Sequence, residues 1–234
     1  MSQFRLSLSL LIVPVLLIPA GCVTDSVKYR EIESTVNEYD IRMLAKSDMS
    51  RVAELGQREV LKSLRKMMVR LYAANPEQLR RAEYPTIKSN VERIFGGQIR
   101  WNFGEFGGVS GNSMLHLSFD ESYRGDRVLL FTAALVSMTM RSYNGTTELY
   151  MLDQLDPQKI HNSARNFEVA LRMVEQLRTD SGEYYLNSGD YRMASLVGRA
   201  VANQDLMAIL IADHTNRQLT GIVQSVAAMV LLPI

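Results

Sequence analysis

The chain has 234 residues, 47% of them hydrophobic, and sets 26 Lys and Arg against 25 Asp and Glu. That balance offers no charge excess to draw nucleic acid or an anionic surface, and the length is enough to bury a sizeable core. A single cysteine, Cys22, excludes an internal disulfide and any zinc site built from several thiolates.

The amino-terminal segment reads as an export signal. Arg5 gives a weakly positive start, Leu6 to Ile18 is almost wholly apolar, and the small pair Ala20-Gly21 precedes Cys22. The apolar run is shorter than the about 20 residues a membrane-spanning helix needs, and Pro14 interrupts it. The order of charge, apolar run, small residues and cysteine resembles the lipobox of bacterial lipoproteins, although Pro19 stands where that motif prefers Leu. The resemblance implies a signal peptide over 1–21, lipidation of Cys22 and a tether over 22–28. Three acyl chains would anchor firmly, since one alone binds marginally and each buried methylene adds roughly 0.8 kcal/mol. Val23, in place of Asp after the cysteine, implies sorting to the outer membrane, on its periplasmic side. Removing the signal takes away Arg5 and no acid, which leaves the charges in balance.

The rest, 29–234, reads as one helical domain. Ile32, Val36, Tyr39 and Met43 recur at helical spacing. Ser47-Asp48 starts a second helix, with a stripe of Val52, Leu55, Val60, Leu61, Leu64, Met67, Met68 and Leu71 that runs to Asn75-Pro76. Pro76 opens a short helix to about Glu83. Another spans Thr86 to Phe95 and stops at Gly96-Gly97. Gln98 to Asn112 is a loop rich in glycine (Gly104, Gly107, Gly108, Gly111) with Trp101, Phe103 and Phe106 between them. It has neither the Gly-Lys-Ser/Thr ending of a phosphate loop nor dinucleotide-site spacing. Its aromatics either pack on the core or meet a partner, with Phe106 the one expected to stay exposed.

Met114 to Phe119 alternates as a short strand would, and also suits the opening of a helix. Arg124-Gly125-Asp126 then predicts a turn and an N-cap. Val128 to Met140 carries no charge and is too short to cross a membrane, so it is expected to be a central helix buried on nearly every side, ended by Asn144-Gly145. Thr146 to Leu155 is expected as a short amphipathic helix. Asp156-Pro157 opens another, with Ile160, Ala164, Phe167, Ala170, Leu171, Val174 and Leu177 on one face. A polar connection follows, with an extended piece at Tyr184 to Leu186. Tyr191 to Asp213 is helical, with Met193, Leu196, Val197, Val201, Leu206, Leu210 and Ile211 as its apolar positions, and Thr215 is expected to cap a last helix to about Leu231. The expected fold is an all-α single-domain bundle with a buried central helix and a Gly/aromatic loop that leaves room for one short hairpin.

Several stretches carry a further resemblance: Gly125-Asp126-Arg127, Tyr143-Asn144, Thr147-Glu148-Leu149-Tyr150, Leu155-Asp156-Pro157-Gln158-Lys159, Asn162 to Asn166 and the ending Leu232-Pro233-Ile234. Together they are similar to a group of uncharacterised proteobacterial lipoproteins. The resemblance covers roughly residues 112–234 and implies an anchored single domain, with no activity attached.

Chemistry is harder to find. Three histidines, none in an HExxH pattern, lead to no metal ligand and no cofactor. His116 and Asp120 would share a face if helical, as do His161 and Arg165. His214 reads as a capping residue between helices. Acids cluster at Asp120, Glu121 and Asp126, and again at Glu148, Asp153 and Asp156. A pair across a cleft could serve glycan hydrolysis, but Asp126 and Asp156 already have work as N-caps. No GxSxG elbow is present, so no catalytic residue is assigned. Asn162, Arg165 and Asn166 form a polar patch at helical spacing. Arg165 is expected to reach Glu148 or Asp153, or else to recognise an anionic envelope group. The reading is a lipid-anchored, non-enzymatic protein that binds another envelope protein, with Trp101, Phe103, Phe106 and Arg165 as candidate contacts. The alternatives are a hydrolase of envelope polymers and a carrier for an apolar ligand.

Overall fold

A computed structural model describes residues 47–96, 111–150 and 154–220, with side chains described to 216. Cys22, Trp101, Phe103, Phe106 and Asp153 lie outside the described residues, as does the expected helix around Ile32 to Met43. The described residues fold as an all-α bundle of seven helices: α1 (Asp48–Ala74), α2 (Pro76–Arg81), α3 (Ile87–Phe95), α4 (Gly111–Leu117), α5 (Arg127–Ser142), α6 (Pro157–Gln176) and α7 (Tyr191–Thr220).

Local chemistry sets the helix starts. Ser47, Thr86, Asp126 and Asp156 each accept a backbone N–H of the first turn through a side-chain oxygen. Pro stands at the beginning of α2 and α6, where it has no hydrogen bond to lose. Asn144 (φ 56°) and Gly145 (φ 76°) end α5 in the left-handed region, and the Gly145 N–H donates to the Met140 carbonyl at 2.7 Å. At the end of α1, buried Asn75 donates to the Leu71 and Asn187 carbonyls and accepts the Asn187 N–H at 2.7 Å. That one side chain joins α1 to the connection before α7.

The core is organised around α5. Every residue from Arg127 to Met140 is buried, enclosed by α1, α4 and α6, while α7 packs on α1 and α6. Burial of a large apolar side chain contributes about 1.5–3 kcal/mol, and Leu130, Phe131 and Leu135 on α5 meet Leu64, Met67, Met68 and Leu71 of α1 and Phe167 of α6 in one cluster. A second cluster joins Ala53, Tyr143, Leu149, Ile160, Met207, Ala208 and Ile211. Gly56 lets α1 and α7 approach closely, because an added Cβ would run into the Met207 side chain. By length and composition α7 could cross a membrane, but Met193, Val197, Ala200, Met207 and Ile211 are buried in the bundle.

Several expectations change. Residues 114–117 belong to α4 and 118–119 to the turn after it, not to the strand that their alternation also allows; no named strand occurs among the described residues. The short hairpin that the loop at Gln98 to Asn112 leaves room for falls largely outside the described residues; elsewhere an isolated antiparallel bridge joins Arg178 and Tyr184. Residues 146–150 are not helical. Side chains of α1 take their backbone groups instead: Gln57 Nε2 donates to the Thr146 carbonyl at 2.8 Å, and the Leu149 N–H donates to Glu54 Oε1 at 2.7 Å. No helix begins at Thr215, because α7 runs unbroken through His214 to Thr220. Val52, Leu55, Leu177 and Leu206, assigned inward from periodicity, are exposed.

The start of α5 is held by a buried polar cluster. Asp126 accepts the Leu129 N–H at 3.0 Å and the Tyr72 hydroxyl. Burial, the largest influence, raises the Asp126 carboxyl above its ordinary value, against the pull of the Tyr72 hydroxyl and two backbone N–H groups. Arg127 donates to the Ser118 and Tyr123 carbonyls, each at 2.8 Å, and lies over the rings of Tyr185 and Tyr123 at 4.9 and 5.6 Å. Gln78 Oε1 accepts the Arg127 N–H at 2.9 Å.

Two outcomes are expected. Leu135→Asp places an unpaired charge at a position with no exposure; its cost of several kcal/mol is a large share of the about 5–15 kcal/mol a domain has, so circular dichroism should show no cooperative melt. The second concerns pH. With its folded value raised, Asp126 contributes stability that is fully present below the ordinary aspartate value of about 3.9 and is lost as pH rises through the folded value. Asp126→Asn keeps an N-cap acceptor and removes the titration. Relative to that variant, the wild type should lose denaturant resistance as pH rises above about 4; a pH-independent difference would contradict the upward shift.

Candidate functional site

The described residues enclose a shallow cleft at the carboxyl-terminal end of α5, between the start of α4 and the first turns of α6. It measures about 230 Å³ and is lined by Gly111 and Asn112 of α4, Met138, Arg141 and Ser142 of α5, and Lys159, Asn162, Ser163 and Asn166 of α6. Gly111 makes the floor possible: an added Cβ would stand 2.8 Å from Met138 Cγ and 3.0 Å from the Ala134 carbonyl oxygen. Asn166 donates to Asn112 at 3.3 Å across the α4–α6 boundary. Buried Ser163 accepts from Gln204 Nε2 of α7 at 2.8 Å.

The charges here are one-sided. Arg141 and Lys159 are exposed, make no ion pair among the described residues, and share the cleft with no described Asp or Glu. Arg141 lies in the last turn of α5, where a cation is favoured. Lys159 does not have that excuse. It occupies the first turn of α6, a turn with no acid, where the helix end disfavours a cation by about 0.3–1 kcal/mol.

Arg165 lies apart from this cleft. Its guanidinium donates to Glu168 at 2.9 Å and to Asp205 of α7, not to Glu148 as the spacing suggested. Glu148 instead accepts the Tyr150 hydroxyl at 3.0 Å. His161 Nδ1 is 3.2 Å from the same Asp205. The polar patch read from sequence therefore divides: Asn162 and Asn166 line the cleft, while Arg165 and His161 tie α6 to α7.

The acids considered for glycan hydrolysis are engaged elsewhere. Asp120 lies beyond the end of α4 and accepts the N–H of Ser122 at 2.7 Å and its hydroxyl. Those two bonds hold its carboxyl below the ordinary value, the opposite of what a general acid needs. Glu121 accepts the Tyr185 hydroxyl at 2.6 Å. His116 is exposed on α4, and no group of three or more potential metal ligands occurs among the described residues.

Comparison with protein-family models, curated proteins and solved structures finds no match for this chain. Helical spacing in the sequence points to Asn162, Asn166 and Arg165 and does not reveal Arg141, Lys159, Ser163 or Asn112. One signal was available: a lysine three residues after the Asp156 cap works against the helix dipole.

The Arg165–Asp205 pair is partly exposed, at 42% and 32% of the side chains, so its stabilisation should be small. A double-mutant cycle between Arg165→Ala and Asp205→Ala should return a coupling of about 0.2–1 kcal/mol that shrinks at high salt. A coupling indistinguishable from zero would remove the pair as a link between α6 and α7.

Proposed function

We propose that this protein is a lipid-anchored, non-enzymatic binding component of the bacterial cell envelope, held at the periplasmic side of the outer membrane through Cys22. The order of residues from Arg5 to Cys22 supports the anchor. The binding role is supported chiefly by one observation: a polar cleft whose two cations are unpaired among the described residues and whose lysine sits where helix stability disfavours it. The loop that carries Trp101, Phe103 and Phe106 enters the described structure at Gly111, on the cleft floor.

The hydrolase reading is weaker, because Asp120 and Glu121 are committed to Ser122 and Tyr185. The carrier reading is weaker too, because side chains as large as Tyr72, Phe131 and Phe167 fill the space between the helices without exposure to solvent.

Metabolic labelling with palmitate, followed by membrane fractionation, tests the anchor. The wild type should carry label and sediment with outer membranes. Cys22→Ala should lose the label and either leave the membrane fraction or accumulate as precursor. An unlabelled wild type whose fractionation matches that of Cys22→Ala would overturn the proposal.

A further inference from the structure

Apart from Asn166, which donates to Asn112 and keeps an acceptor oxygen, most polar side chains around the cleft are left with donors. The Asn162 side-chain oxygen accepts from Gln158 Nε2 at 2.8 Å, and the Asn112 oxygen accepts from Asn166. Both amides therefore have their acceptor ends occupied and their amino ends left to donate. Ser163, only 3% exposed, already accepts from Gln204, so its own proton is free for another group. Arg141 and Lys159 add two cations, and no described acid lines the cleft to neutralise them. These five side chains come from α4, α5 and α6 and surround the cleft from three sides.

Such a set suits an anion with many acceptors. A carboxylate is planar, has two oxygens and is satisfied by one arginine fork. A phosphate has tetrahedrally arranged oxygens and up to two charges, which matches two cations with three neutral donors around them. The lysine's unfavourable place in the first turn of α6 is then offset by the bound anion, since the helix end and the ammonium both favour negative charge at that point. We propose that the cleft between α4, α5 and α6 binds a phosphate group. The inference deepens the binding role above and rests on it. The cleft is open to solvent, so the group can be free inorganic phosphate or the headgroup of a phospholipid.

The test uses the full-length protein in a non-ionic detergent, titrated calorimetrically with inorganic phosphate, with acetate and with the short-chain lipid dihexanoyl-phosphatidylglycerol. Phosphate should bind at least about tenfold more tightly than acetate. Arg141→Gln and Lys159→Gln should each weaken it about tenfold, as loss of a charge-assisted bond implies, and the double variant should abolish it. Both residues are exposed, and unchanged melting curves would verify that the variants fold. Arg172→Gln, an exposed cation of α6 outside the cleft, should bind like the wild type. Tighter binding of the lipid than of inorganic phosphate identifies a headgroup site; the reverse identifies a site for the free ion. The proposal is overturned if neither phosphate compound binds, if acetate equals phosphate, or if the folded double variant binds as the wild type does. Lost phosphate binding beside an acylated Cys22 would remove this inference alone, and an unacylated Cys22 in a phosphate-binding protein would remove only the anchor.

Discussion

A helix buried on every side must satisfy its first N–H groups without water, and this bundle depends on how α5 meets that demand. Asp126 supplies one oxygen to the Leu129 N–H and the other to the Tyr72 hydroxyl, while Gln78 takes the Arg127 N–H. The helix start is thereby bound to α1 and α2 by side chains that are themselves buried. An unmet donor there would cost about 1–3 kcal/mol, so the position of α5 relative to α1 is set by polar geometry as well as by packing. Arg127 completes the arrangement without a carboxylate partner: two carbonyls and two aromatic faces surround its charge.

The opposite end of α5 is solved differently. The left-handed pair Asn144-Gly145 turns the chain, and Glu54 and Gln57 of α1 take up backbone groups of the segment that follows. This is why residues 146–150 do not form the amphipathic helix that their composition suggests. Intrahelical bonds would have to replace bonds to α1, and the latter also bury Leu149 in the second cluster. The same end leaves Arg141 at the surface beside the first turns of α6, which places the donor-rich cleft where the core stops.

The two polar sites on α6 show how neighbouring residues of one helix can be divided between links to another helix and the lining of a cleft. Arg165 and His161 turn toward Asp205 and act as exposed links to α7, each worth little. Asn162 and Ser163 turn to the cleft, where Asn162 is braced by Gln158 and Ser163 by Gln204. That bracing holds the two side chains in place, and groups held in place lose less freedom on meeting a ligand.

Much of the fold was legible in the chain itself. The caps Ser47, Asp126 and Asp156, the breaks at Asn75-Pro76 and Asn144-Gly145, and the uncharged run of Val128 to Met140 act through neighbours within a few residues, so their meaning survives without a structure. The spacing of apolar residues likewise points to the all-α class, because they repeat at the helical period. What only the tertiary structure decided were matters of long-range pairing. Periodicity alone turned Val52, Leu55 and Leu206 inward, whereas the neighbours that would cover them are absent among the described residues. Arg165 had acids on both sides in sequence, and the approach of α7 selected Asp205. The cleft was illegible for the same reason. Asn112, Arg141 and Lys159 lie on three separate helices, and nothing in the spacing of residues along a chain states which helix ends will meet.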